Sequence, residues 1–272
     1  MLAAPLAAAQ PTVVEAVQYP AWLDRGGQSV PLAPGIQLES RDRIRTGPNA
    51  RVRMRLPEGS AVKLGENAQF VIERAENRSI FTAALSVLTG AFRFTTDALA
   101  PKRDRNVGIK VKNVTVGIRG TDLWGKSAPD RDWVVLLEGR IAIGSEGNPQ
   151  VTLDKPLDLY QLPRDGKPDV TRADAKVVEA WALETEMSAD GAEARADGRW
   201  RMVAGTRPKR DDARALVRRL RSAGYPAEVV AKDGYFIVQV AGLAGEAQAR
   251  ALAASVRALP DMEMPSVHEG PP

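Results

Sequence analysis

The stretch Arg51-Val-Arg-Met-Arg-Leu56 alternates basic and apolar residues without a break. Successive side chains of a strand point to opposite faces, so this pattern demands a half-buried strand with its guanidinium face in water. The same period of two runs from residue 13 to residue 162. Segments 62–64, 70–72, 92–94, 108–111 and 133–137 continue it. Pro57-Glu-Gly59, Gly65-Glu-Asn67, Thr89-Gly90 and Glu138-Gly139 separate them as turn signals. No window here repeats at 3.6, so residues 13–162 are expected to form an all-β domain.

That region contains an echo. Leu85-Ser-Val-Leu-Thr-Gly-Ala-Phe-Arg-Phe94 and Val134-Val-Leu-Leu-Glu-Gly-Arg-Ile-Ala-Ile143 share an apolar strand, a turn closed by Gly and a second alternating strand. Residues 53–64 are a looser third copy. Units of this kind stack in a β-roll or short solenoid, and a β-sandwich fits as well.

Residues 163–198 change character. Asp165-Gly-Lys-Pro168 is a breaker, and 174–187 reads as one helix with Val177, Val178, Trp181 and Leu183 on its apolar side. The run DGAEARADG at 190–198 suits a linker. Residues 199–272 read as β-α-β-β-α-β. Strand 200–205 precedes helix 209–223, which has an Ala213, Leu216, Val217 and Leu220 stripe and Gly224 as its stop. Strands 227–231 and 235–240 flank the Asp233-Gly234 turn, and helix 246–259 leads to strand 262–267. This order predicts a ferredoxin-like sheet with both helices on one face and the other face free. The whole is an α+β multidomain chain.

Composition limits the chemistry. The chain has no Cys and one His, His268, near its C-terminus. Thiolate metal sites, iron–sulfur clusters, cysteine nucleophiles and disulfides are excluded, and a Ser-His-Asp triad nearly so. A hydrolase using turn carboxylates such as Glu58 or Glu138 is the weak enzymatic alternative. No stretch approaches the roughly 20 apolar residues of a membrane-spanning helix. Residues 1–10, MLAAPLAAAQ, carry the small-x-small pattern Ala7-Ala8-Ala9, so residues 1–12 read as the tail of an export signal or a disordered start. Residues 199–272 hold 12 Lys plus Arg against 8 Asp plus Glu, which is the entire net charge of +4. Arg214, Arg218, Arg219 and Arg221 supply much of it as a solvated helix face. Trp124 and Trp133 are expected in the core.

Two stretches resemble bacterial families. Arg41-Asp-Arg-Ile-Arg-Thr-Gly47, Leu56-Pro-Glu-Gly-Ser60, Leu64-Gly-Glu-Asn67, Val116-Gly-Ile-Arg-Gly-Thr-Asp-Leu123 and Leu137-Glu-Gly-Arg-Ile141 resemble the FecR domain over roughly 36–145. Founding members relay siderophore signals to an extracytoplasmic sigma factor, through a cytoplasmic segment and a membrane helix that are not legible here. The resemblance implies a periplasmic interaction domain with an envelope protein partner. Within it, Arg119, Gly120, Thr121 and Asp122 form the sharpest motif, with a structural or interaction role. Gly205, Ala213, Leu216, Leu220, Gly224-Tyr225, Val238, Val240 and Ala249 resemble the SPOR domain over 199–270. That resemblance implies binding to peptidoglycan, preferably denuded glycan strands, and links to cell division. The family's first-strand Gln is Val203 here, and Thr206 keeps the hydroxyl that follows.

Alternation places Arg201 and Val203 with Tyr235, Ile237 and Gln239 on the free sheet face. An apolar platform with amide and guanidinium donors suits sugar rings. RNA-recognition domains share this element order but need paired sheet aromatics. Tyr235 and Phe236 are adjacent and point to opposite faces, so nucleic acid is not expected. The sequence therefore predicts a non-enzymatic periplasmic protein without cofactor or metal, bound to peptidoglycan and presenting a FecR-like domain. The alternative is a periplasmic FecR-type regulator that the SPOR-like unit only localises.

Overall fold

Alternation is realised in residues 51–55, where Val52 and Met54 are buried and the arginines between them reach the surface. The computed structural model describes residues 11–77, 81–96, 105–118 and 120–270. The export-signal expectation on 1–10 and the expectation on Arg119 lie outside the described residues.

The first strands are β1 (Thr12–Gln18), β2 (Ala21–Arg25), β3 (Gln28–Pro31), β4 (Gln37–Leu38), β5 (Arg43–Thr46), β6 (Arg51–Arg55), β7 (Ala61–Leu64), β8 (Gln69–Asn77) and β9 (Phe81–Thr95). They continue as β10 (Arg105–Val111), β11 (Val114–Ile118), β12 (Asp122–Ser127), β13 (Arg131–Glu138), β14 (Ile141–Ser145), β15 (Val151–Leu153), β16 (Asp158–Pro163) and β17 (Asp169–Arg172). Helix α1 (Ala175–Leu183) and β18 (Glu193–Arg195) lead to a last unit. It comprises β19 (Trp200–Arg207), α2 (Arg210–Ser222), β20 (Glu228–Lys232), β21 (Tyr235–Leu243), α3 (Glu246–Arg257) and β22 (Ser266–Glu269). Among the described residues no helix is long and apolar enough to cross a membrane.

Two sheets enclose the core of the N-terminal body. The first runs β17-β16-β13-β12-β9-β7-β6-β1, with every neighbour antiparallel. The second runs β3-β2-β5-β8-β9-β10-β11-β14-β15, where β9–β10 is parallel. Phe92, Phe94, Leu64 and Leu136 of the first sheet share one core cluster with Phe70, Ile72, Leu85 and Ile109 of the second. Each such fully buried side chain contributes about 1.5–3 kcal/mol.

Strand β9 belongs to both sheets. Residues up to Thr89 pair with β8 and β10, and those from Gly90 onward pair with β12 and β7. Gly90 takes φ +86° where the strand bends, and a Cβ there would lie 2.5 Å from the Ala68 Cα. The expected Thr89-Gly90 turn between two strands is therefore a corner inside one continuous strand. Glu138-Gly139 is a second corner: β13 pairs in the first sheet and β14 in the second, never with each other. Only the third echo unit is a hairpin, β6 and β7 joined at Pro57-Glu-Gly59. The echo records corners between two sheets rather than solenoid rungs.

Two expectations for 163–198 are corrected. The helix ends at Leu183 instead of 187 because Glu184, Thr185 and Glu186 run down onto the first sheet. Val178 alone of its apolar side is buried, and Val177 and Leu183 are exposed. The supposed linker contains β18, which pairs with β1 and touches β21 through Ala194 and Leu243. Ala192 and Ala194 are buried there, so a run that reads as flexible is a short, packed strand.

The last unit has sheet order β20-β21-β19-β22, all antiparallel. Helices α2 and α3 bury Ala213, Leu216, Val217, Leu220, Ala249, Leu252 and Val256 in the cluster that holds Met202, Val238 and Val240. Asp233 and Gly234 have φ of +51° and +79°, which suits the two-residue hairpin turn. This unit is joined to the body at more than β18. The Trp22 indole N–H donates to the Ser222 carbonyl at 3.2 Å, and Tyr19 meets Tyr225 edge-on at 6.3 Å. A Cβ on Gly224 would lie 2.8 Å from the Trp22 ring, so the residue that ends α2 also admits this tryptophan.

Gly90→Ala is expected to destabilise by about 3 kcal/mol or more in a urea titration, adding backbone strain to overpacking. Gly234→Ala, at φ +79° with open space around it, should lose only about 1–2 kcal/mol in the same urea titration. Burial raises the hydroxyl pKa of Tyr19 and Tyr225 above the ordinary 10.0. The folded state holds both protons, so their contribution is intact below that pH and shrinks as pH rises past it. Tyr19→Phe should blunt the alkaline loss of stability in melts taken above about pH 10.

Candidate functional site

Register aligns a cationic row on the outer side of the first sheet. Arg53 lies opposite Lys63, Lys63 opposite Arg93, Arg93 opposite Trp124, and Trp124 opposite Val135. Like charges on neighbouring strands repel unless carboxylates sit among them. Glu15 pairs with Arg53 at 3.1 Å and with Arg55 at 2.5 Å. Asp122 takes the Arg93 guanidinium with two bonds, at 3.0 and 2.7 Å. The last counter-charge comes from 58 or more residues further along the chain.

That remote segment forms a strap across the row. Asp174 caps α1 by accepting from the Lys176 and Val177 amides. Trp181 then stacks on Trp124, centroids 5.1 Å apart and planes 13° apart, with Trp133 tilted at 6.2 Å. Beyond the helix, Glu184 accepts from Lys126 at 2.8 Å, and Glu186 accepts from Lys63 at 2.6 Å and from Arg93 at 3.3 Å. Thr185 between them is buried. The strap backbone lies deep: a Cβ on Gly65 would come 2.8 Å from the Glu184 carbonyl oxygen. Gly65 bonds to Ala91 at 2.9 Å, and the two small residues form the floor of a trough between Arg51 and Lys126. The strap ends where the Ser188 amide donates to Gln18 Oε1 at 2.9 Å.

The strap leaves two donors beneath it unanswered. Trp124 Nε1 and Arg51 Nε are buried and meet no acceptor among the described residues. Desolvation holds the Arg51 guanidinium below the ordinary arginine pKa, against the pull of Glu66 and Glu184. Trp124 is indeed buried, but on the outer side of the sheet under α1 rather than between the sheets.

The described part of the Arg119–Asp122 motif sits at the corner into β12. Gly120 has φ +66°, and Gly139 packs so close that a Cβ on it would lie 2.2 Å from the Gly120 carbonyl oxygen. Thr121 is buried, donates from Oγ1 to the Arg140 carbonyl at 3.0 Å, and its backbone N–H donates to Thr96 Oγ1 at 3.1 Å. Thr121 thus ties two corners together, and Asp122 next to it organises the cationic row. Glu58 is buried in the β6–β7 turn and Glu138 is exposed at the end of β13. Among the described residues, no three His, Asp or Glu gather as a metal site.

The expected platform on the last unit is divided in two. Tyr235, Ile237 and Gln239 do share a face of β21, with Thr206 opposite Ile237 and Val203 opposite Gln239. Tyr235 is 53% exposed and Gln239 only 2%. Gln239 Nε2 donates to Glu228 at 3.0 Å, while its Oε1 is buried without a partner among the described residues. Arg201 donates to the Gly270 carbonyl, and its Nε is likewise buried and unanswered. Gln239 and Arg201 line a groove of about 610 Å³ with Trp200, Ala241 and Glu269. Trp200 and Glu269 were not singled out from sequence, although an aromatic residue opening a strand was a usable signal. Phe236 packs against the core, so no paired aromatic platform exists on β21. Two of the α2 arginines form ion pairs, Arg214 with Asp211 within the helix at 3.5 Å and Arg219 with Asp261 beyond α3 at 4.0 Å.

Residues 42–142 match the family model described as FecR protein, a span from the start of β5 into β14. No curated protein matches the chain. Two crystal structures, both described as a candidate anti-sigma factor from Parabacteroides distasonis ATCC 8503, are similar to it with TM-scores of 0.44. One is 14% identical over 79% of this chain and 89% of its own, the other 15% over 84% and 99%.

Asp122→Ala is expected to destabilise by about 1–3 kcal/mol, because it strips a two-pronged carboxylate from a half-buried guanidinium. Glu186→Ala, whose carboxylate is 37% exposed, should lose about 1 kcal/mol or less in the same urea titration.

Proposed function

We propose that this chain, whose residues 42–142 carry the FecR match, is a FecR-type regulatory protein of the bacterial cell envelope. Its β body is a protein-interaction module, and the β19–β22 unit localises it in the periplasm. The match over the strands that build both sheets is the observation that carries this reading. No bond is made or broken in this role, and no cofactor is required. Deletion of the gene in its native host should change the transcript levels of a defined envelope regulon, restored by the intact gene. A profile indistinguishable from the parent strain under envelope stress would sink the regulatory reading.

A second reading concerns the last unit. Its β-α-β-β-α-β order and sheet order β20-β21-β19-β22 suit a glycan-binding unit of the SPOR type. Gln239 and Arg201, which line the groove with Oε1 and Nε buried and unanswered among the described residues, favour it, since sugar hydroxyl and acetamido groups satisfy both a lone acceptor and a lone donor. The full chain should sediment with peptidoglycan, more so after amidase treatment, and release no soluble muropeptides. Gln239→Ala with Arg201→Ala should cut retention at least about fivefold, a difference of about 1 kcal/mol. Equal retention by that variant, with an unchanged circular dichroism spectrum, rules this groove out.

A further inference from the structure

We infer that the trough on the outer side of the first sheet is a docking site for an acidic polypeptide segment of a partner, and that the strap of residues 174–187 occupies it as a resident substitute. The inference rests on the reading of the β body as an interaction module and names its surface.

Three observations carry it. The trough is cationic by construction, with Arg53, Lys63 and Arg93 on adjacent strands and Arg51 and Lys126 flanking the Gly65 and Ala91 floor. A row of that kind requires carboxylates from elsewhere, and the strap supplies Glu184 and Glu186. The strap reads as a recognition motif: Trp181 stacks on Trp124, and carboxylates follow three and five residues later. The trough also offers more than the strap uses, because Trp124 Nε1 and Arg51 Nε are buried donors without acceptors among the described residues.

The strap is built to leave. Its helix has nine residues and buries Val178 alone, with Val177 at 43% and Leu183 at 69% exposure. Short helices with one buried residue are marginal by themselves. Its ion pairs are about one-third exposed and so are weakened by salt. The partner that fits is an extended acidic segment with an aromatic residue three before its first carboxylate. Such a segment also has carbonyls to place over the two lone donors. Binding one segment displaces the other, so partner capture frees residues 174–187.

The test uses the full chain and a labelled synthetic peptide with the sequence of residues 174–187, read by fluorescence anisotropy. Trp181→Ala, Glu184→Gln and Glu186→Gln together open the trough. That variant should bind the peptide at least about tenfold more tightly than the native chain, whose strap competes at high effective concentration. A control peptide with Glu184→Gln and Glu186→Gln should bind the open variant at least about tenfold more weakly. Adding Lys63→Glu and Lys126→Glu to the open variant should abolish binding. Glu186→Gln alone, a milder change that keeps Trp181 and the Glu184 pair, should bind about two- to fivefold more tightly than native, and it guards against misfolding of the triple variant. Equal affinity of the native chain and both variants, or of the acidic and neutral peptides, overturns the inference. The regulon comparison does not depend on the trough, so failure here and failure of the regulatory reading are distinguishable.

Discussion

One strand imposes the architecture. Fifteen residues of β9 serve two sheets, and the change of sheet happens at Gly90, pressed onto Ala68. Bending there lets the Phe92 and Phe94 side close over the same core as Leu85 and Val87. Everything placed by register on the first sheet inherits its position from that bend. The order Arg53, Lys63, Arg93, Trp124 across four strands is a consequence of where β9 turns.

The corners explain why a periodic sequence produces a non-periodic fold. Gly90 and Gly139 both adopt positive φ where a strand leaves one sheet for the other. In sequence, each resembles the glycine of a hairpin, because both uses need the same backbone freedom. Local composition identified that a turn of direction occurs and that the flanking segments are strands. It did not reveal partner choice, which depends on residues more than 20 positions away, as between Gly90 and Ser127 or Ile118 and Ile141. The β-α-β-β-α-β order at the C-terminus was more legible, since helix stripes such as Ala213, Leu216, Val217 and Leu220 are local signals.

The trough was half legible. The alternation of Arg51, Arg53 and Arg55 announced an outward cationic face, and Trp124 and Trp133 announced aromatic packing. What hid the site was the assumption that such a face meets water. Glu184 and Glu186 look like the last turn of a helix, and their true partners are Lys126, Lys63 and Arg93. Nothing in a linear reading pairs a glutamate with a lysine on a strand 123 residues earlier. The same holds for Gln239, whose alternation predicted an open face although Glu228 and its neighbours enclose it.

The seam between β1, β18 and β21 has an evolutionary consequence. Domains exchanged by recombination normally meet through a flexible joint that either partner can lose. Here the joint is itself a strand, and Gly224 is shaped around a tryptophan from the other unit. Transplanting residues 199–270 onto another carrier would strip Trp22 of its cover and leave β18 without its contact to β21, so the joint favours keeping the two halves together.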